Sequence, residues 1–405
     1  MQSILEGVRV VEVASWTFVP SAGAVLADWG ADVIKVEHPL RGDPQRGLVP
    51  SAMANQSALG VNLLMEQPNR GKRSIGLDFS TERGRELLLR LVETADVFST
   101  NMLPGLRQRL RLDVDDLREV NPNIIYVRGS GTGVRGAEAN DGGFDTTAFW
   151  ARSGIADSLS PVGDDDAWPA PHRPGIGDNP GGMMVAGGVA AALFRRERTG
   201  VPSVVDVSLL GCAMWTLAFD IISSQVTGDV IRIPREDAVN PLSNTYRTAD
   251  RRTISLSMFQ ADRHLREFCE LIGRPELATD PRFADAAARS ENRHELTSIL
   301  DDVFAKEPLA HWEAAFAGSG LIWSVFRRPH EVHADPQVVA NGYLPKLTAD
   351  NGNEFSLVAN PIQFDGVQPE LQRAPDQGQH TDEVLLELGL TWDELIDDKS
   401  SGTVL

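Results

Sequence analysis

Cysteine is nearly missing: Cys212 and Cys269 are the only two in 405 residues. That excludes a disulfide framework and a cysteine-rich zinc site. No run of 18 or more apolar residues occurs, so no membrane span is expected. The opening MQSILEGVRVVEVA lacks a basic segment followed by a long apolar stretch. No secretory signal is therefore expected, and a cytoplasmic location follows as the default. Positive charge is also short, with 38 Lys and Arg against 57 Asp and Glu and a formal net charge of -19. An acidic surface repels nucleic acid and anionic lipid, so neither is an expected partner. A polyanionic ligand would need a site that is basic against this global field. The eight histidines show no H-E-x-x-H spacing, and no G-x-S-x-G elbow is present. The first strand–helix turn, ASWTFVPSAG, has no G-x-G-x-x-G, which argues against dinucleotide binding in the usual way. No internal repeat is evident.

What is there is a strand–helix alternation. Val8 to Val13 is a short apolar, β-branched run suited to a buried parallel strand. A helix over Ala22 to Trp29, closed by Gly30, leads to a strand at Asp32 to Glu37. The pattern repeats with a helix at Glu82 to Thr94, a strand at Asp96 to Ser99, a short helix at Asp115 to Val120 and a strand at Ile124 to Val127. Such alternation predicts an α/β fold with a doubly wound parallel sheet. Pro161 to Gly182 is rich in Gly, Pro and Asp and predicts a loop. A helix rich in small residues should follow over about Met183 to Arg198, then a strand running into a helix at VVDVSLLGCAMW. From about Gln225 to His330 the texture changes: TISLSM signals a strand, and HLREFCELIG and ELTSILDDVFA are amphipathic. A separate, smaller α/β domain is expected there. The segments ADPQVVANGYL and EFSLVANPIQF return to strand and loop patterns. HTDEVLLELGL predicts a helix capped by Thr381 or Asp382.

For chemistry, GIGDNPGG at residues 175–182 places Asp178 in a glycine-rich turn just before a helix. An aspartate there serves as a turn or capping residue, or as a carboxylate held in position with substrate close to the backbone. In the second reading the N–H groups of Gly181 and Gly182, at a helix start, would face a developing oxyanion. His172 stands six residues earlier in a proline-rich stretch, as a surface histidine would. Arg70, Lys72 and Arg73 in NRGKRS make a solvated basic turn or a phosphate site, and Arg107, Arg109 and Arg111 form a second basic set.

Several segments together resemble the family III CoA-transferases, which include formyl-CoA transferase, the carnitine CoA-transferase type and α-methylacyl-CoA racemase. They are LEGVRVVEVASWTFVPSAGAVLADWGADVIKVEHP, NRGKRSIGLDFSTERGRELLLRLVETADVFSTNMLPG, NPNIIYVRGSG, GFDTTAFWARSG, GDNPGG, AHWEAAFAGSGLIWSVFR and RAPDQGQHTDEVLLELGL. They run in order over nearly the whole chain. The resemblance implies a Rossmann-like large domain built from both chain ends, with residues 1–224 carrying the CoA-binding fold and the catalytic aspartate. A small α/β domain over 225–330 and a return segment over 331–405 complete the layout, and an interlocked homodimer is expected. It implies Asp178 as the nucleophile, with Gly181 and Gly182 beside it. Transfer of CoA from an acyl-CoA to a carboxylic acid would pass through aspartyl anhydride and aspartyl-CoA thioester intermediates. Coenzyme A and acyl-CoA are then substrates, and neither a metal nor a redox cofactor is expected. For CoA, the resemblance points to His38 after the VIKVE strand, Lys72 and Arg73, Asn101 and Met102 in STNMLPG, Arg109, and Arg128 in NPNIIYVRGSG.

The sequence departs from the family in three places. Where formyl-CoA transferase carries His and Gln in the first turn, Ser15 and Thr17 stand here. No glycine-rich lid is evident around PLSNTYRTAD, so formyl and oxalyl substrates are not expected. In the racemases a G-H-D segment supplies one of two acid–base groups, and here it is Gly143-Phe144-Asp145. Phenylalanine cannot accept a proton, so transfer is favoured over racemisation. The remaining alternative is a CoA-binding protein without catalysis. Trp16, Phe144, Phe149 and Trp150 make either a wide apolar acyl pocket, suited to larger or aromatic acyl groups, or ordinary core.

Overall fold

A computed structural model describes residues 3–48, 59–160, 168–367 and 370–405. The chain forms two compact units, one of Met1–Gly228 with Pro336–Leu405 and one of Asp229–Asp335.

The first unit is built on six parallel strands: β1 (Arg9–Val13), β2 (Asp32–Glu37), β3 (Arg73–Gly76), β4 (Val97–Thr100), β5 (Ile125–Ser130) and β6 (Val204–Ser208). Their spatial order is β3-β2-β1-β4-β5-β6, the order of a dinucleotide-binding sheet, which reverses direction between β1 and β4. Side chains alternate across each strand, so both faces are apolar. Val10, Val33 and Val127 join one core with α1 (Phe18–Asp28) and Val185 and Val189 of the long helix Asp178–Thr199. Val11, Ile34 and Phe98 join the other with Leu87, Leu88 and Leu91. Those leucines lie on the amphipathic helix Glu82–Glu93, whose N-cap Thr81 accepts a hydrogen bond from Gly84 N–H. The C-terminal segment closes this second face. Leu405 N–H donates to Gly76 O at 3.1 Å, and Val384, Leu385 and Leu395 enter the same core.

The second unit has a three-stranded antiparallel sheet, Thr245–Arg247, Thr253–Leu256 and Trp323–Val325. Its core is aromatic: Tyr246 stacks on Phe304 at 5.0 Å, and Phe268, Trp312 and Phe316 pack around them. No single helix among the described residues is long and apolar enough to cross a membrane.

Five local expectations are corrected. α1 begins at Phe18 and not at Ala22, because Pro20 falls in the first turn, where its missing N–H costs nothing. β3 replaces the basic turn expected at Arg73. Four residues of Arg, Ser, Ile and Gly carry too little pattern, and the strand is defined by its pairing with β2. The helix expected from Met183 begins at Asp178, since Pro180 is again tolerated in a first turn. Of the loop expected before it, residues 161–167 lie outside the described residues. Near the C-terminus, Pro336–Asn341 is helical and not extended. At the helix Thr381–Glu387, His380 takes the N-cap position, leaving Thr381 Oγ1 to accept from Gly76 N–H at 3.0 Å.

α1 and the Asp178–Thr199 helix approach closely because glycine faces α1. A Cβ on Gly182 would lie 2.5 Å from Ser21 Cβ and 3.0 Å from Phe18 O. Gly182→Ala should therefore destabilise the protein by about 1–3 kcal/mol through overpacking. A lowered urea midpoint at unchanged slope is the expected observation, and an unchanged midpoint would show that the two helices can part without penalty.

Candidate active site

Ligands of open α/β sheets gather where the strand order reverses, beyond the carboxyl ends of the strands. That point lies here between β1 and β4, and a cavity of about 330 Å³ opens on it. Ser15 and Trp16 line it from the end of β1, Asn101 and Met102 from the end of β4, Arg128 and Gly129 from β5. Asn101 ties the two central strand ends together: its Oδ1 accepts from Ser15 N–H at 3.1 Å, and its Nδ2 donates to Ser15 O at 2.7 Å. Phe144 and Asp178 complete the wall.

Asp178 is the first residue of its helix, and its carboxyl is half-buried against this cavity. Burial, with the charge of Asp145 as a second cause, pushes its pKa from 3.8 up to about 7. The positive end of the helix acts in the opposite sense. It is worth about 0.3–1 kcal/mol, less than a tenfold effect on ionisation, so desolvation wins. Asp145 is buried behind the nucleophile candidate. It accepts hydrogen bonds from Gly177 N–H at 3.1 Å and Asp178 N–H at 3.4 Å, and so holds the helix start. His172 is half-buried: its Nε2 lies 3.3 Å from Asp145 Oδ2, with Thr146 Oγ1 at 3.2 Å from its Nδ1. Sequence reasoning gave neither residue a role. Asp145 drew notice only as the end of the Gly143-Phe144-Asp145 segment, and His172 stands 27 positions further on, too far for a local pattern to join them.

Thus Asp178, Asn101, Met102 and Arg128 share one cavity. The other expected residues stand elsewhere. His38 Nδ1 accepts from Leu40 N–H at 3.1 Å beyond β2, and Arg109 is exposed on the helix Pro104–Leu110. It is Arg107, buried and bound to Asp113 at 3.0 Å, that lines the cavity. Arg73 faces Asp32, Glu383 and Glu387. Lys72 is fully buried, donating to both Glu12 oxygens at 2.7 and 3.0 Å, to Pro20 O and to Asn69 Oδ1. Burial and the like charge of Lys35 outweigh Glu12 and bring Lys72 down to about 8. All its donors are engaged, which fits a structural ion pair and not a phosphate contact. The Gly181 amide likewise donates to Gly177 O at 2.9 Å, because the helix starts earlier than expected. Gly181 and Gly182 instead face α1, so the free oxyanion donors expected at those two positions are not found. Thr17 Oγ1 donates to Gln45 at 2.9 Å. Among the described residues no group of three or more His, Cys, Asp or Glu is placed to hold a metal ion.

A larger apolar cavity of about 650 Å³ lies on the other side of the helix start, lined by Val25, Met183, Met184 and Val358. Among the described residues its only charged side chain is Arg70, bound to Asp28 at 2.7 Å. With no perturbed or unpaired ionisable group among them, it offers no means for group transfer, and the smaller cavity is the candidate site.

Comparison with known proteins identifies the family. The chain is 31% identical over 403 residues to (R)-2-hydroxy-4-methylpentanoate CoA-transferase of Clostridioides difficile, covering 99% of both chains. It is 31% identical over 397 residues to cinnamoyl-CoA:phenyllactate CoA-transferase of Clostridium sporogenes, covering 97% of this chain and 95% of the other. The crystal structure of a CaiB/BaiF family protein from Brucella suis superposes with a TM-score of 0.79 at 30% identity, over 96% of this chain and all of that one. The sequence profile of CoA-transferase family III matches residues 5–381. This chain belongs to the family III CoA-transferases, enzymes that act on CoA thioesters.

Proposed function

We propose that the protein moves CoA from an acyl-CoA to a carboxylic acid through covalent intermediates on Asp178. The observation that carries this reading is a carboxyl at a helix start, half-buried in the switch-point cavity and raised to about 7. An Asp178 oxygen attacks the thioester carbonyl and expels CoA thiolate, leaving a mixed anhydride. The thiolate attacks the aspartyl carbonyl and releases the donor acid, leaving an aspartyl-CoA thioester. The acceptor carboxylate attacks that carbonyl, expelling thiolate and forming a second anhydride. Attack of the thiolate on the acceptor's acyl carbon then yields the new acyl-CoA and restores Asp178. No proton is transferred in any step, so one carboxylate suffices. Desolvation serves the first step by removing the water shell that makes carboxylates weak nucleophiles.

For CoA we assign Asn101, Met102 and Arg128. The Arg128 pair with Asp206 is partly exposed, so a phosphate can displace it at small cost. His38, Lys72, Arg73 and Arg109 have less support, given their placement. Racemisation would need a second acid–base group across from Asp178. Phe144 stands in the wall instead, and no histidine lines the cavity among the described residues. The buried Cys212 thiol, pushed up to about 11, offers no competing nucleophile. An interlocked homodimer fits the apolar side chains left exposed on the helices Leu209–Thr216 and Ala218–Thr227, Trp215, Phe219 and Val226 among them.

Incubation with an acyl-CoA and hydroxylamine should convert Asp178 to its hydroxamate, detected by peptide mass spectrometry. Asp178→Ala should lower transfer by at least about a thousandfold; undiminished exchange in that variant would refute the mechanism. Because the ionised carboxylate is the nucleophile, kcat/KM should rise with pH through about 7. Asp145→Asn keeps a hydrogen-bond acceptor for the helix amides and removes the charge. It should move that rise to lower pH by about one pH unit. A profile that stays in place would show that Asp145 does not act electrostatically on Asp178.

A further inference from the structure

Among the described residues, four that are not glycine adopt a left-handed backbone, and Trp16 is one of them, at φ 69°. A bulky residue there is strained and persists only where its surroundings dictate it. At Trp16 they do. Its N–H donates to Asp43 Oδ1 at 3.1 Å, and Asp43 Oδ2 lies 2.9 Å from Lys35 Nζ. Both charged side chains are fully buried, and Lys35 also donates to Ala14 O at 2.9 Å. The preceding residue, Ser15, is clamped on both backbone groups by Asn101. The strained turn is therefore anchored from two sides, and it holds the indole in the wall of the cavity that contains Asp178.

Across that wall the Trp16 ring meets Phe144 edge to face, with centroids 5.6 Å apart at 89°. Phe144 is 55% exposed, so it is not a core residue. Its backbone is fixed: its N–H donates to Thr147 Oγ1 at 3.0 Å, and Gly143 before it packs against Gly131 so closely that a Cβ on Gly131 would come within 2.6 Å of Gly143 Cα. Phe149 and Trp150, at 3% and 6% exposure, belong to the core and face no ligand. Two aromatic rings are thus presented beside the nucleophile and left open to a ligand. Cations in the lining are few. Arg107 is committed to Asp113 and to Met102 O, and Arg128 is assigned to CoA, so among the described residues no third cation lines the cavity for a second carboxylate.

We propose that Trp16 and Phe144 form the acyl-recognition wall of this site, which selects monocarboxylic acids with an aromatic or branched apolar side chain over acetate- or succinate-sized acids. This rests on the Asp178 reading above and adds the substrate class to it.

The test is a set of transfer assays with the full chain, using phenylpropanoyl-CoA, 4-methylpentanoyl-CoA, acetyl-CoA and succinyl-CoA against acids of the same classes. The wild type should favour the first two by at least about tenfold in kcat/KM, the discrimination an apolar pocket can supply. Trp16→Gly suits the left-handed backbone, so it removes the ring without adding strain. It should lose at least about tenfold more on the aromatic and branched donors than on acetyl-CoA, chiefly in KM. Phe144→Ala, at an exposed position, should do the same to a smaller degree. Binding of 3-phenylpropanoate against succinate, followed by tryptophan fluorescence of the resting enzyme, gives a second readout that needs no turnover. Preference for acetyl or succinyl donors, or equal losses on all four donors, overturns the assignment while leaving the Asp178 mechanism standing. Absence of exchange with every donor, combined with no hydroxamate on Asp178, removes the mechanism itself, and the binding measurement then decides the wall alone.

Discussion

One carboxylate organises this site without taking part in the proposed chemistry. Asp145 accepts the first amides of the Asp178–Thr199 helix and so fixes where that helix begins. Because the helix begins there, Asp178 occupies its first position and meets the cavity at the strand-order reversal. The same charge raises Asp178 further than burial alone. Asp145 thus fixes the position of the candidate nucleophile and adds to the rise that burial sets, with His172 3.3 Å from its own carboxylate.

Beneath the sheet's carboxyl edge, a second set of buried charges does for Trp16 what Asp145 does for Asp178. Glu12, Lys35, Lys72 and Asp43 are fully buried and paired with one another. Such networks are weak sources of stability, since desolvation offsets most of their attraction. Their effect here is geometric. Charges from β1, from β2 and from Lys72, just before β3, meet the turn after β2, and through Asp43 they hold the left-handed residue after β1. Rigidity at the turn is what a positioned acyl group would require.

The fold was largely legible in the sequence because buried parallel strands and amphipathic helices leave strong periodic marks. β2 falls on DVIKVE, and the helix Glu82–Glu93 lies within the span expected for it. Elements without such marks were missed. β3 is short and polar at its start, and the first turn of the Asp178 helix is Asp-Asn-Pro-Gly. Both are stabilised by what packs on them, and local propensity does not register that.

For the site, the sequence by itself determined the class of enzyme and singled out Asp178, since a glycine-flanked aspartate within an ordered set of motifs is a local pattern. Only the tertiary structure decided which other side chains stand beside it. Asp145, His172, Asp43 and Arg107 enter through contacts between distant segments, and Lys72 leaves because its ammonium is enclosed by Glu12. A chain records its own periodicity and turns, whereas burial, charge pairing and the shape of a cavity exist only once distant segments meet.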